Sequence, residues 1–385
     1  LYNPSPTPIN LSDFVFSNKQ FYNNFKIPVN TVIDAGGYLV VAEDKAEFMS
    51  QHPGVINVIG DFIFNLQNDG DSVTFSDFLG NTIETFSFND KHPWPITPDG
   101  HGRTMEIAAT LAAPELSTSW FAGCLGGSPG EPFALCYENP IVDEINYKSS
   151  PTEDADDWFE LFNSSATDFD LSGWKIKDKN KNTFTIPNGV SIAAGGYLVF
   201  YQDEAKFNAQ FPGIINKVGA LNFGFSGEGD VILIYDSTNK LYQSVGYDDE
   251  APFPLSPDGG GFALQIVNPV LNLNDASNWM ESCPEGSPGT EFILPCANSI
   301  NDEETVSIIS IYPNPANELI AISAPAEING NSMVNIFDLA GKKIISTEVN
   351  TDINRMIDIS ILPAGLYHLQ MINDGNKFTA SFIKE

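Results

Sequence analysis

The chain has 385 residues, 42% hydrophobic and 12% aromatic, enough for two or three folded domains each with its own core. Its 50 Asp and Glu stand against 18 Lys and Arg, a formal net charge of -32. Nucleic-acid binding through a basic patch is therefore excluded, and association with an anionic membrane surface is disfavoured. No apolar run approaches the ~18 residues that span a bilayer, so no membrane insertion is expected.

The opening residues "LYNPS" (from Leu1) match "LFNSS" (from Leu161), and from there the chain repeats itself. "AGGYLV" occurs at Ala35–Val40 and again at Ala194–Val199, an offset of 159 positions. At the same offset "DKAEFMSQHPGVIN" (Asp44–Asn57) pairs with "DEAKFNAQFPGIIN" (Asp203–Asn216), and "PWPITPDG" (Pro93–Gly100) with "PFPLSPDG" (Pro252–Gly259). Trp120, Cys124 and "GSPG" (Gly127–Gly130) likewise match Trp279, Cys283 and "GSPG" (Gly286–Gly289). Similarity kept in order over this length marks a duplicated domain. In the second copy "LFNSS" is preceded by "IVDEINYKSSPTEDADDWFE", which has no counterpart ahead of Leu1. The expectation is a C-terminal fragment whose first copy lacks its first strand and a loop, leaving an unpaired strand edge.

Within a copy the reading is all-β. "IVDEINY", "DWFELFN", "GWKIKD", "NTFTIP", "GYLVFYQ", "DVILIYD" and "GFALQIV" are short β-branched or aromatic runs divided by turn signals such as Asn188–Gly189, Gly195–Gly196 and Asp258–Gly259. "SGWKIKD" sets Trp174 and Ile176 against Lys175 and Lys177, the alternation of a half-buried strand. "DEAKFNAQ" is the helical candidate, opened by Asp203 and closed by Pro212–Gly213. The two glycines of "AGGYLV" predict a tight turn with positive φ feeding Tyr-Leu-Val into the core. Evenly spaced strands with turn punctuation predict a β-sandwich of immunoglobulin size.

The succession "IVDEINY…DWFELFN…LSGWKIKD…TIPNGVSIAAGGYLVF…PDGGGFALQ…NW…GSPG" resembles the lamin tail domain. The resemblance implies two immunoglobulin-like sandwiches: residues 1–137, missing the first strand, and residues 138–297, complete. It also implies non-catalytic accessory or adhesive modules, and it supplies no catalytic residues. Each copy holds two cysteines without a nearby histidine or short ligand spacing, so the pairs Cys124–Cys136 and Cys283–Cys296 read as disulfides rather than zinc ligands. Closing such a loop contributes roughly 3 kcal/mol in the chain-entropy model and points to an oxidising, extracytoplasmic compartment.

Residues 298–307 read as a polar, acidic linker. Beyond it, "VNIFDLAGKKII" predicts a strand, a turn at Ala340–Gly341 and a second strand, and Asp374–Gly375 divides a final hairpin. "SIYPNPANELIAIS", "LPAGLYHLQM" and "KFTASFIKE" resemble the type A sorting domain of the type IX secretion system of Bacteroidetes, over residues 308–385. The matching residues are Tyr312, Pro313, Asn314, Pro315, Gly365, Leu366, Tyr367 and Lys384. This resemblance implies recognition by the outer-membrane translocon, removal of the tail near the linker, and a product released or held at the outer cell surface.

For chemistry the sequence offers little. Four histidines, His52, His92, His101 and His368, show no metalloprotease spacing, and "GFSGE" (Gly224–Glu228) misses the nucleophile elbow and reads as a turn. The densest acidic group, Glu153, Asp154, Asp156 and Asp157, has alternate oxygens suited to Ca²⁺ but lacks the EF-hand register, so a solvated loop stands beside it as the other reading. Trp120, Trp158, Trp174 and Trp279 read as core rather than glycan platforms. The expectation is a non-enzymatic binding, adhesion or spacer region with an unidentified extracellular ligand and no cofactor. The alternative is the accessory end of a secreted hydrolase, such as a nuclease or protease, with its catalytic domain upstream of Leu1.

Overall fold

A computed structural model describes the chain except residues 21, 109–111, 153, 294–308, 324–330, 338–341, 351–355, 374–375 and 385. Two compact units result, Leu1–Ile293 and Leu294–Glu385, so both repeats pack into the first. The expected linker 298–307 and the turns Ala340–Gly341 and Asp374–Gly375 lie outside the described residues in whole or part.

The second repeat is an immunoglobulin-like sandwich. One sheet has six strands in the order Lys217–Gly219, Tyr197–Tyr201, Trp158–Phe162, Ile141–Asn146, Phe262–Ile266 and Trp279–Pro284. Facing it are Thr183–Thr185, Lys175–Lys177, Asp230–Tyr235 and Leu241–Tyr247. Ile145, Phe159, Leu161, Ile176, Phe200, Ile232 and Val245 fill the space between. The pairing of Tyr197–Tyr201 with Lys217–Gly219 is parallel, which demands a crossover, and the helix Glu204–Gln210 supplies it. Asp203 caps that helix as expected, its carboxylate accepting from the amides of Ala205 and Lys206. Phe207 turns from the helix onto Trp158, Val199 and Tyr201, covering the sheet's outer face. The strand Ile141–Asn146 is consequently buried along its whole length.

The repeated "AGGYLV" is a turn of the expected kind, with φ of +66° at Gly36 and +65° at Gly195, where a side chain would be strained. Each turn is gripped by a buried asparagine. Asn163 Nδ2 donates to the carbonyls of Thr167, Ile192 and Ala193, and Asn3 Nδ2 to those of Thr7, Ile33 and Asp34. This shared cage explains why Asn recurs in "LYNPS" and "LFNSS".

The first repeat keeps the four-stranded sheet, Asn24–Lys26, Val15–Ser17, Asp71–Ser76 and Thr82–Phe88. Its other face is divided: Val40–Ala42 pairs with Val58–Gly60, and Arg103–Ile107 with Trp120–Leu125, with no strand between the two pairs among the described residues. Leu1 takes the ladder position of Leu161, bonding Leu39 in both directions. Burial differs between the copies, the first repeat itself packing on Leu241–Tyr247 of the second. Thr82–Phe88 is largely exposed where its counterpart Leu241–Tyr247 is largely buried, and the core cluster contracts to Leu11, Ile27, Ile33 and Leu39 with their neighbours.

Arg103 joins the repeats. Its buried guanidinium donates through Nε to Ser244 O (2.8 Å) and through Nη1 to Gly123 O (3.0 Å), and pairs through Nη2 with Glu138 Oε1 at 2.6 Å. Asn272 Nδ2 adds a bond to Ala122 O at 2.7 Å.

The C-terminal unit is a small β-sandwich. Ser310–Tyr312, Leu319–Ser323 and Met356–Asp358 form one sheet; Lys343–Asn350, Asn331–Phe337, Gly365–Asn373 and Asn376–Lys384 form the other. Ile311, Ile320, Ile336, Leu369, Met371 and Phe382 lie between them. The two expected strand pairs are present in antiparallel register.

Candidate functional site

The motif residues of the tail are scattered in sequence and gathered in space. Proline fixes φ and lacks an amide hydrogen, so "YPNP" cannot extend the strand Ser310–Tyr312 and turns the chain away. That turn meets the terminal strand. Asn314 Oδ1 accepts from Ile383 N (2.8 Å), Asn314 Nδ2 donates to Ser381 O (3.4 Å), and Ala316 N donates to Ile383 O (2.8 Å). On its other side the strand pairs with the third motif segment: Gly365 faces Lys384, Leu366 faces Ile383 and Tyr367 faces Phe382. Tyr367 is buried, stacks on Phe382 with ring centroids 5.7 Å apart, and donates its hydroxyl to Pro363 O (3.0 Å). Tyr312 and Ile383 remain exposed beside this clasp.

The second repeat holds a feature the sequence reading missed. Glu144 and Glu160 stand directly opposite each other on neighbouring strands, and neither is exposed at all. The "GSPG" loop closes over them. Glu144 Oε1 and Oε2 accept from Ser287 N at 2.9 and 3.1 Å, and Glu160 Oε2 accepts from Gly289 N. Glu160 Oε1 is buried without a hydrogen bond among the described residues. Burial pushes the Glu144 carboxyl up to about 8 and holds Glu160 well above the usual range, each also raised by the other acids of the group. Adjacent Asp143, raised to about 6 by burial, accepts from Gln265 Nε2 at 3.2 Å. The signal was present as charged residues inside the apolar runs "IVDEINY" and "WFELFN".

Residues 137–249 match the Lamin Tail Domain family and residues 310–385 the Secretion system C-terminal sorting domain. The chain carries a lamin tail domain and a type IX sorting domain. The sorting domain marks it for export by the type IX secretion machinery to the cell surface or the extracellular space. The match to the lamin tail domain falls on the second repeat; the first is tied to it by the internal repetition. The chain is 24% identical over 235 residues to an endo-acting ulvan lyase of Formosa agariphila, covering 53% of this chain and 41% of that protein. It thus spans about two fifths of that relative's length. A solved BSP domain of a biofilm-associated protein aligns at 9% identity and a TM-score of 0.18, over 83% of this chain and 61% of the other.

In the acidic loop of the lamin tail domain, Asp154 and Asp156 face one lysine and Asp157 faces inward. Asp154 pairs with Lys206 Nζ at 2.8 Å and Asp156 lies 3.6 Å from the same nitrogen; the bond from Lys206 holds Asp154 below its ordinary range. Asp157 turns inward, accepts from Phe225 N at 2.6 Å, and is pushed up to about 7 by burial. Glu153 lies outside the described residues. Among the described residues no group of three or more His, Cys, Asp or Glu is placed to hold a metal ion. "GFSGE" is a turn whose Ser226 amide donates to Asp230. Cys124 and Cys136 are joined in a disulfide; Cys283 is also disulfide-bonded, and Cys296 lies outside the described residues. Trp158 and Trp279 are buried, whereas Trp120 and Trp174 are half-buried. Between the repeats lies a cleft of about 600 Å³ lined by Asp90, His92 and His101 from one and Lys179, Asp230 and Asp248 from the other, among others. Burial lowers His101 and raises Asp248 there.

Proposed function

We propose that this chain is the non-catalytic end of a type IX-exported Bacteroidetes protein, two lamin-tail-type sandwiches acting as one binding or spacing body ahead of the sorting tail. The convergence of "YPNP", "GLY" and Lys384 on the terminal strand carries the export half of this reading. The repeats support the other half, because their buried carboxylates are committed to architecture. Asp71, Asp157, Asp230 and Glu144 each accept backbone amides that would otherwise be orphaned. The Arg103 clamp suits a body that transmits position, since it removes the free hinge between the repeats. The similarity to an endo-acting ulvan lyase supports a second reading, in which this region is the accessory part of a secreted hydrolase or lyase and docks on ulvan.

The test is to incubate the purified chain with ulvan and with unrelated polysaccharides, measuring both retention of the protein and release of new chain ends. No release of new ends is expected on either reading, and retention with preference for ulvan favours the accessory one. Release of new ends would overturn the non-catalytic assignment.

A further inference from the structure

We infer that Glu144 and Glu160 form a proton-sharing latch, which holds the Gly286–Gly289 loop on the sheet while one proton is shared and releases it when both carboxylates are ionised. The geometry sets the constraint. The two carboxyl groups project from directly paired residues of an antiparallel ladder, where Cβ atoms are about 4.5–5.5 Å apart. Both are removed from water, and among the described residues neither forms an ion pair with a Lys, Arg or His. Among the described residues the titratable groups acting on them are acidic or phenolic: each other, Asp143 beside Glu144, and Tyr197 on the strand next to Glu160, with Glu291 acting in turn on Asp143 and Tyr197. Gln265, opposite Glu144 on its other side, is neutral and is occupied by Asp143. Two anions at this spacing, without a cation, cannot both persist in a dry site.

The hydrogen bonds say which oxygen holds the proton. Glu144 accepts the Ser287 amide at both oxygens and the Ser287 hydroxyl at 3.2 Å, the set expected of the member that ionises first. Glu160 has one oxygen on Gly289 N and one buried with no partner among the described residues, and the second is where the hydrogen resides. Removing it places an unpaired charge opposite Glu144. The loop above then has to lift so that water can reach both groups, breaking the bonds to Ser287 and Gly289. Gly286 lies so close beneath that a Cβ there would meet Glu144 Oε1 at 2.7 Å and Trp158 at 2.9 Å, so lifting also uncovers Trp158.

The first repeat provides an internal control. Its loop Gly127–Gly130 is tied to one partly exposed carboxylate, Glu106, which accepts Ser128 Oγ at 2.7 Å and Thr104 Oγ1 at 3.0 Å. No second carboxylate is paired opposite Glu106 in a strand ladder among the described residues.

Hydrogen exchange of the full chain, corrected for intrinsic rates and measured between about pH 6 and about pH 9.5, tests the latch. Protection at Ser287–Gly289 is expected to fall at least about tenfold across that range while Gly127–Gly130 stays level. Glu160→Gln, which keeps the shape and cannot ionise, is expected to hold protection level in both loops. A level profile at Ser287–Gly289 in the unsubstituted protein, or an equal fall in both loops, overturns the latch; so does a Glu160→Gln profile that falls as the unsubstituted one does. If Glu160→Gln does not fold, the unsubstituted profile with its internal control still decides, and Trp158 emission shifting to the red over the same range gives the second measurement.

Discussion

Replacing Arg103 by Ala removes the clamp between the repeats, and its cost follows from what is left behind. Arg103 is 1% exposed and Glu138 11% at their side chains, so the abandoned carboxylate has little access to water. Its Oε2 keeps the bond from Gln243 Nε2 at 2.9 Å, but Oε1 loses a charged partner. The carbonyls of Ser244 and Gly123 also lose their guanidinium donors, although Ser244 O keeps Asn274 Nδ2 at 2.8 Å. Breaking one side of a buried ion pair costs about 3–5 kcal/mol. For a unit of this size that corresponds to a melting midpoint lower by roughly 5–8 °C. Arg103→Lys keeps the charge but not the planar fork, so it should recover only part of the loss. Calorimetry and urea unfolding of Arg103→Ala, Glu138→Gln and the double variant measure the effect, with a coupling of at least about 1 kcal/mol expected from the cycle. A loss below about 1 kcal/mol, or one that vanishes in ~1 M salt as a surface pair's would, refutes this account.

Three further outcomes are expected. Asp157 is raised from 3.8 to about 7 chiefly by burial, so its contribution is present below its unfolded pKa and is lost as pH rises through about 7. Asp157→Asn should flatten that part of the stability profile by roughly 1–3 kcal/mol, read from unfolding at stepped pH. Because Lys206 pairs with Asp154 and Asp156, chelation of divalent cations should leave the melting temperature of the full chain unchanged, and a fall of several degrees would identify the loop as a Ca²⁺ site. Asn314→Ala removes the side-chain acceptor from the Ile383 amide. It should cost about 1 kcal/mol in the sorting domain and reduce the exported fraction in a type IX-competent host, measured by comparing medium and cell-surface fractions with the parent chain.

Local chemistry explains what was legible in advance. The Asp203 cap, the glycine turns at Gly36 and Gly195, the alternation about Ile176 and the final hairpin are short-range features, decided by residues within a few positions of one another. Cys124 and Cys136 were readable for the same reason, being only 12 positions apart. The tail's motif residues could be recognised singly, yet their meeting at the terminal strand depends on strand pairing across some 70 positions, as between Asn314 and Ile383.

By itself the sequence determined the duplicated all-β plan, the turn and cap chemistry, and the order of repeats and sorting tail. Tertiary structure alone decided the rest. Ladder register set Glu144 against Glu160, and the covering helix and loop turned two strand carboxylates from surface groups into buried ones. A lysine on a helix 50 positions away took up the acidic loop, and Arg103 reached Ser244 across 141 positions to weld two repeats into one unit. The same cause left Trp120 half-exposed where Trp279 is buried. Both donate to an equivalent carbonyl, Pro114 or Leu273, but among the described residues only the second repeat has a continuous sheet beside it. The physical reason is range: turns and caps satisfy the backbone locally, whereas burial and charge pairing depend on which distant segments arrive at the same place.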